Sequence, residues 1–259
     1  MLNAQNIEVS LGKTRVLQGI DLAAPPGKLV TVIGPNGSGK TTLMRALSGD
    51  ISYSGRAELN GIDIARTRPW ELAAMRGVLP QSSSLSFPFT VREIVQLGTR
   101  EGVADTGRAN VAEALERVDL SGFEGRMYQE LSGGEQQRVQ LARVLCQVWE
   151  PVLDGKARYL FLDEPVSSLD IRHQLQIMNV ARDFALQGGG VLAILHDLNL
   201  TAMYADRVVL LKDGRVHAEG APGAVLTDDN LRAVYECDLS VSRVPADGSV
   251  FVLPHGASV

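Results

Sequence analysis

One stretch of the chain has the residue types and the spacing of a phosphate-binding loop. It matches the pattern G-x-x-x-x-G-K-[ST] in full, as Gly34-Pro35-Asn36-Gly37-Ser38-Gly39-Lys40-Thr41. An apolar run over residues 29–33 precedes it, and a predicted helix with one apolar face follows it. Glycines let several backbone N–H groups point at one anion, and the N-terminus of the helix adds a positive dipole. We predict that Lys40 reaches the β- and γ-phosphates of a nucleotide and that the Thr41 hydroxyl ligates Mg²⁺.

Two adjacent carboxylates, Asp163 and Glu164, form a second candidate group. They follow the buried-strand pattern of residues 159–162, and ligands bind at the carboxyl ends of strands in parallel sheets. We predict that one carboxylate holds Mg²⁺ through its water shell and that the other orients or deprotonates an attacking water. His196 follows another such strand. Its position alone leaves both a γ-phosphate contact and a structural role open.

The composition is that of a globular protein without a broad basic surface. The chain has 259 residues, 45% of them hydrophobic, and a net charge of −5, so nothing indicates nucleic-acid binding. Its apolar runs are far shorter than the roughly 18–20 residues that cross a bilayer. Residues 1–5 lack the basic patch and apolar core of a signal peptide. Cys146 and Cys237 fit packing in a reducing cytoplasm better than a disulfide or a metal site. We therefore expect an intracellular protein.

Hydrophobic periodicity predicts the elements that position these groups. Alternation predicts antiparallel strands over residues 6–33, and Asn60-Gly61 predicts a hairpin turn within residues 57–64. Farther along, short apolar runs alternate with helical stripes, which predicts a parallel sheet covered on both faces. The predicted strands of this part are 77–81, 159–162, 191–195, 208–211 and a weak last strand at 249–253. Residues 86–150, in which Thr90-Val91-Arg92-Glu93 forms a capping box, are predicted to be a helical insertion.

The segment Leu131-Ser132-Gly133-Gly134-Glu135-Gln136-Gln137-Arg138 is similar to the signature motif of the ATP-binding cassette (ABC) ATPases. The whole chain resembles that family in the order and spacing of its other motifs. These are Walker A (Gly34 to Thr42), the Q-loop glutamine (Gln81), Walker B with its catalytic glutamate (Tyr159 to Glu164), the D-loop (Ser167 to Asp170) and the switch histidine (His196). The resemblance implies one α/β domain over residues 1–259. Its P-loop NTPase (RecA-like) core has a parallel sheet, an N-terminal antiparallel β-subdomain and an inserted helical subdomain.

The resemblance also implies the cofactors, ATP and Mg²⁺, and a role for each matching residue. The implied catalytic residues are Glu164, His196 and Gln81, and the implied metal ligands are Thr41, Gln81 and Asp163. The implied nucleotide-binding residues are Gly34, Pro35, Asn36, Gly37, Ser38, Gly39, Lys40, Thr41, Thr42, Ser132, Gly133, Gly134 and Asp170. In the family the signature segment, a second anion site at a helix N-terminus, closes over the ATP of a partner chain. One P-loop and one signature per chain therefore imply a head-to-tail homodimer with two composite sites.

Residues 87–91 (Phe-Pro-Phe-Thr-Val) resemble the ATPases of the iron-chelate, haem and cobalamin importers. Three longer stretches, residues 131–149, 170–174 and 195–207, are similar to the ATPases of the haem importers in particular. In the family the region around Phe87 and Phe89 receives the coupling helix of the permease; simple packing of the insertion is the alternative. The implied assembly has two copies of a transmembrane permease, and a periplasmic haem-binding protein takes part indirectly. It places this chain at the cytoplasmic face of the bacterial inner membrane. Ferric siderophore and cobalamin are the alternative cargoes.

Leu11 and His173 differ from what the family resemblance would lead one to expect or invite another interpretation, and two other classes of protein have to be considered. Leu11 stands where the family usually has an aromatic residue stacked on adenine, which puts base stacking there in doubt. His173 invites interpretation as a haem ligand, but a solvated histidine on a helix surface fits its position better. Soluble ABC proteins of DNA repair or of ribosomes usually have fused cassettes or coiled-coil insertions, and this chain has no sustained heptads. A small-molecule P-loop kinase would not need the signature at Ser132.

Overall fold

The computed structural model describes residues 1–81, 87–101 and 110–256. Its strands are β1 (Leu2–Leu11), β2 (Thr14–Ala24), β3 (Leu29–Ile33), β4 (Ser54–Leu59), β5 (Ile62–Asp63), β6 (Arg76–Leu79), β7 (Val152–Leu153), β8 (Lys156–Ala157), β9 (Tyr159–Asp163), β10 (Gly190–Ile194), β11 (Arg207–Lys212) and β12 (Arg215–Gly220). Its α-helices are α1 (Lys40–Leu47), α2 (Pro69–Met75), α3 (Val91–Glu101), α4 (Val111–Arg117), α5 (Gly133–Gln147), α6 (Ile171–Leu186), α7 (Leu198–Tyr204), α8 (Pro222–Val225) and α9 (Asp228–Tyr235). The predicted start of the helical insertion at residue 86 lies outside the described residues.

A six-stranded sheet in the order β12-β11-β3-β10-β9-β6 forms the centre of the fold. The strands β11, β3, β10, β9 and β6 run parallel, and β12 pairs antiparallel with β11 at one edge. Every residue of β3, β9 and β10 is buried. Unbroken apolar runs are what a strand needs when both of its faces are covered. The predicted parallel sheet is confirmed, and its carboxyl edge carries the residues after β3, β9 and β10.

A four-stranded antiparallel sheet in the order β2-β1-β4-β5 lies at the N-terminal end of the chain. Ala4 and Ile7 on β1 are three residues apart, so strict alternation would place their side chains on opposite faces of the sheet. A register shift between them, at Asn6, lets both side chains be buried in the core. The hairpin predicted at Asn60-Gly61 joins β4 to β5 and is confirmed. The antiparallel prediction for residues 6–33 is wrong at its end, because residues 29–33 form β3 of the parallel sheet.

Tyr159, at the start of β9, joins the two sheets. Its hydroxyl accepts a hydrogen bond from the backbone N–H of Leu2 and donates one to the carbonyl oxygen of Ala24, each at 3.0 Å. All three residues are fully buried, so neither backbone group has water as an alternative partner. The antiparallel sheet is thereby fixed to the central one.

The helices α3, α4 and α5 lie between β6 and β9, which are neighbours in the central sheet. The predicted capping box at the start of α3 is present: Glu93 N–H donates to Thr90 Oγ1 at 3.3 Å, and Thr90 N–H donates to Glu93 Oε2 at 2.8 Å. Residues from all three helices share one apolar cluster, which includes Val91, Ile94, Val95, Ala114, Leu115, Val118, Val139, Ala142 and Leu145. The boundaries 86–150 for a helical subdomain stay a prediction.

The predicted last strand over residues 249–253 is wrong. These residues have no strand pairing, and Val250 and Val252 are 95% and 80% exposed. Their apolar pattern is that of a strand, but they pair with none of the described strands. The helices α2, α7 and α8 and the edge strand β12 were not predicted. None of the described helices combines the length and the apolar character needed to cross a membrane.

Candidate functional site

The glycine-rich loop joins β3 to α1 at the carboxyl edge of the central sheet. Gly34, Gly37 and Gly39 have φ angles of 146°, 81° and 102°, values that residues with a Cβ rarely adopt. A Cβ on Gly34 would lie 2.3 Å from the carbonyl oxygen of Leu211, and one on Gly39 would lie 2.7 Å from Leu17 Cδ2. Gly34 and Gly39 therefore need glycine for two reasons, backbone conformation and close packing.

Lys40 and Ser38 are the buried polar side chains of this loop. Lys40 Nζ donates to the carbonyl oxygens of Gly34 and Pro35, each at 2.9 Å. Burial lowers the pKa of Lys40, and the charges of two nearby carboxylates oppose that shift. Ser38 Oγ is buried and finds no hydrogen-bond partner among the described residues. A hydroxyl in that state is costly unless a ligand pairs with it, and an anion bound at the loop would offer it an acceptor oxygen.

Two neighbouring strands bring the acidic pair and the histidine together. Asp163, the last residue of β9, is only 3% exposed, and burial raises its pKa to about 6. Thr41 Oγ1 lies 3.4 Å from Asp163 Oδ1 and donates to it. Glu164 Oε1 lies 2.6 Å from Nε2 of His196, which follows β10. The backbone N–H of Glu164 donates to the carbonyl oxygen of Ile194 at 3.2 Å, so hydrogen bonding between β9 and β10 continues to the pair itself.

A cleft of about 400 Å³ lies over the loop. The residues that line it are Val16, Asn36, Gly37, Gly39, Lys40, Thr41, Thr42, Gln81 and Glu164. The structure thus brings Gln81, which follows β6, to the same place as the loop and the carboxylate. Val16 was not predicted to lie at the site, since an apolar residue on β2 carries no signal of a ligand site. Leu11 is half exposed and is not among the described residues that line the cleft.

The side chains of Thr41, Asp163 and Gln81 fit a Mg²⁺ site by their chemistry. They offer a hydroxyl, a carboxylate and an amide oxygen, and Mg²⁺ prefers oxygen ligands. Few protein ligands are needed, because Mg²⁺ usually keeps several waters and binds substrate phosphates. A cation there would stabilise the ionised form of Asp163, whose burial otherwise disfavours that charge.

The signature segment is not among the described residues that line this cleft. Ser132 caps α5 through a reciprocal pair: Glu135 N–H donates to Ser132 Oγ at 3.3 Å, and Ser132 N–H donates to Glu135 Oε2 at 2.7 Å. Asp170 caps α6 by accepting from His173 N–H at 3.0 Å. Ser132 and Asp170 are absent from the described lining of the cleft, as are Gly133 and Gly134. Gly133 instead borders a separate cavity of about 160 Å³, which Gln81 also lines.

A family model described as ABC transporter matches residues 17–167. That span is more than half of the chain and contains the glycine-rich loop, Gln81, the segment from Ser132 to Gly134 and both carboxylates. The chain belongs to the ABC transporter family. As an ABC ATPase it binds nucleotide and hydrolyses ATP in the service of transport. Two of the predicted residues, Asp170 and His196, lie beyond the matched span.

Curated relatives of this ABC ATPase match it over nearly its whole length. Hemin import ATP-binding protein HmuV of Mesorhizobium japonicum is 59% identical, and the match covers 99% of each chain. Hemin import ATP-binding protein HmuV of Rhizobium meliloti is 58% identical, with 100% of each chain covered.

A solved ABC cassette has the same fold. It is a dimeric structure of a post-hydrolysis state bound to ADP and Pi, 25% identical, with a TM-score of 0.73. The match covers 86% of the present chain and 99% of that chain. The predicted P-loop NTPase fold is confirmed for this ABC ATPase.

Proposed function

We propose that this ABC ATPase powers the import of hemin through a membrane permease. One observation supports this cargo above all. Eight relatives named hemin import ATP-binding protein are 52–59% identical to the chain, and each match covers at least 98% of it. Each match also covers at least 94% of the relative, so the similarity extends well beyond the motifs for ATP.

The proposed assembly contains two copies of this chain and two copies of a transmembrane permease. The copies pack head to tail, so that Ser132, Gly133 and Gly134 of the partner subunit complete each cleft. The absence of these residues from the described lining of the cleft of their own chain supports this arrangement, as does the dimeric state of the similar cassette. The chains sit on the cytoplasmic face of the inner membrane, and a periplasmic haem-binding protein delivers hemin to the permease.

ATP binding in this proposal uses the loop between β3 and α1. Backbone N–H groups of the loop and the hydroxyl of Ser38 donate to phosphate oxygens. Lys40 Nζ donates to the carbonyl oxygens of Gly34 and Pro35 at 2.9 Å. When ATP binds, it gives up these hydrogen bonds and donates to phosphate oxygens instead. Thr41, Asp163 and Gln81 would hold Mg²⁺, which when bound neutralises charge on the phosphates.

Glu164 and His196 carry the hydrolytic step in this proposal. The Glu164 carboxylate, at the wall of the cleft, accepts a hydrogen bond from the attacking water and takes its proton. His196, 2.6 Å from that carboxylate, orients it and donates toward the γ-phosphate as charge develops there. Breaking the bond to the γ-phosphate removes the contacts that hold two chains over one nucleotide, and the dimer reopens.

The test is reconstitution with the transporter's other parts. The chain is expressed with the permease from its own operon, the complex is placed in proteoliposomes, and ATP hydrolysis is measured with hemin-loaded binding protein in the lumen. We expect hemin to stimulate hydrolysis at least several-fold, with ferric siderophore and cobalamin inactive. Stimulation by another ligand would refute the assignment of hemin as the cargo, while the proposed role in transport would stand. Failure to form a complex with any permease would refute the transport role itself.

A further inference from the structure

The backbone of Glu164 has a conformation that must be held by its surroundings. Its φ is 53°, in the left-handed region that residues with a Cβ seldom adopt. Such conformations persist where neighbouring groups over-determine them, and they cluster at functional sites. The backbone at this residue sets the direction in which the carboxylate leaves β9. Whatever holds the backbone therefore also holds the carboxylate beside His196.

Three donors converge on the carbonyl oxygen of Glu164. Two belong to Ser167, whose N–H lies at 3.4 Å and whose Oγ lies at 3.2 Å, and both are part of the local turn. The third is Gln137 Nε2, at 3.0 Å, which comes from α5. Because a carbonyl oxygen only accepts, the Gln137 amide must present its nitrogen; the flipped amide would set two acceptors against each other. Within the described part of the chain, Gln137 is the donor that ties this carbonyl to a distant element.

The other half of the Gln137 amide has no comparable contact. Its Oε1 is buried and finds no hydrogen-bond partner among the described residues. The side chain borders the cavity of about 160 Å³ that Gln81 and Gly133 also line. A buried amide oxygen without a partner is unfavourable. The favourable polar contact of this side chain is therefore the one that its nitrogen makes to Glu164.

We propose that Gln137 is a positioning residue for Glu164. It lies five residues after Ser132, on the helix whose first residues are Gly133 and Gly134. A movement of that helix start moves the donor on the Glu164 carbonyl. Engagement of the signature segment by a partner's nucleotide is thereby coupled to the orientation of the carboxylate in the same chain. This inference rests on the proposed function, in which Glu164 orients the attacking water.

The test compares two substitutions at this position, Q137E and Q137M. Both keep nearly the original volume, and neither offers a hydrogen-bond donor while the carboxyl introduced by Q137E is ionised. We expect kcat for ATP hydrolysis to fall about tenfold or more in both, with the KM for ATP and the affinity for a fluorescent ATP analogue within twofold of wild type. The kcat of Q137E should approach that of wild type as the pH falls from about 8 toward 5, because a protonated carboxyl can again donate a hydrogen bond. Dividing by the wild-type rate at each pH removes the pH dependence that the variant and the wild type share, and Q137M should show no such recovery.

Gln176 supplies a matched control. It lies on α6, its Nε2 donates to the carbonyl oxygen of Arg117 at 3.2 Å, and its Oε1 is likewise buried without a partner among the described residues. Q176E makes the same chemical change outside the cleft, and we expect its kcat to stay within twofold of wild type.

Several outcomes would overturn the proposal. A wild-type kcat in Q137E and Q137M would do so, as would an equal loss in Q176E. Loss of ATP binding in both Gln137 variants would show that the residue maintains the fold and does not position the carboxylate. The variant E164Q separates this inference from the function on which it rests. If E164Q is inactive while Q137E and Q137M hydrolyse ATP normally, only the role of Gln137 fails; if E164Q is active, the assigned role of Glu164 fails as well.

Discussion

Replacing Glu164 by glutamine isolates the chemical role of the carboxylate. The change keeps the shape of the side chain and an oxygen that can face His196, which lies 2.6 Å from Glu164 Oε1. It leaves the loop and Lys40 intact, so ATP binding should be unchanged. It removes the group that takes a proton, and general-base catalysis is worth about 10²- to 10⁴-fold. At about 1.4 kcal/mol per tenfold, the expected loss of transition-state stabilisation is about 3–5 kcal/mol.

The assay for E164Q has two parts. Phosphate release under single-turnover conditions measures the chemical step, and size-exclusion chromatography with ATP measures dimer formation. We expect phosphate release to fall by the stated factor while an ATP-bound dimer accumulates. The control is E219Q: Glu219 on β12 pairs with Arg207 at 2.7 Å and is also largely buried, but it lies away from the cleft. Undiminished phosphate release in E164Q, or an equal loss in E219Q, would refute the assignment of Glu164.

Three further substitutions test other parts of the structure. G39A puts a Cβ on a residue with a φ of 102°; we expect a loss of about 1–3 kcal/mol in stability and no ATP binding, measured by denaturation and by fluorescent nucleotide. S132A removes the cap of α5 and should cost about 1 kcal/mol of stability; ATP should still bind to the loop, but phosphate release should fall, and unchanged release would contradict the composite site. Y159F leaves the buried Leu2 N–H and Ala24 carbonyl without the hydroxyl that joins them. It should lower the free energy of unfolding by about 1–3 kcal/mol with kcat unaltered, and a lower kcat at unchanged stability would contradict the purely structural role.

Much of the site was predictable because its signals are local in the chain. Each of these signals spans fewer than ten consecutive residues: the loop glycines, the capping box at Thr90, the signature segment at Ser132 and the strand preceding Asp163. The alternation between unbroken apolar runs and helical stripes then placed the ends of β3, β9 and β10 at one edge of a parallel sheet. The predicted roles of the site residues themselves stay predictions until the variants are measured.

What could not be predicted depends on contacts between distant residues. The hydrogen bond from Gln137 to the Glu164 carbonyl joins positions 27 residues apart, and no pattern in the chain marks it. Val16 reaches the cleft only because β2 passes close to Gly39. The prediction for residues 249–253 failed for a related reason: apolar alternation is a property of the segment, but a strand also requires a free sheet edge beside it.

The pairing of β9 with β10 has a consequence for how the protein responds to heat. Their hydrogen bonds run from Gly190 opposite Tyr159 to Ile194 opposite Asp163, and both strands lie deep in the sheet. Such strands exchange their amide hydrogens only when the whole domain opens, whereas loops and chain ends open locally at far lower free energy. Fraying of the segment after residue 236 leaves the spacing of Glu164 and His196 unchanged. Thermal fluctuations short of global unfolding therefore leave the backbone at Asp163 opposite that at Ile194, and the backbone frame of the site is lost only when the sheet melts cooperatively.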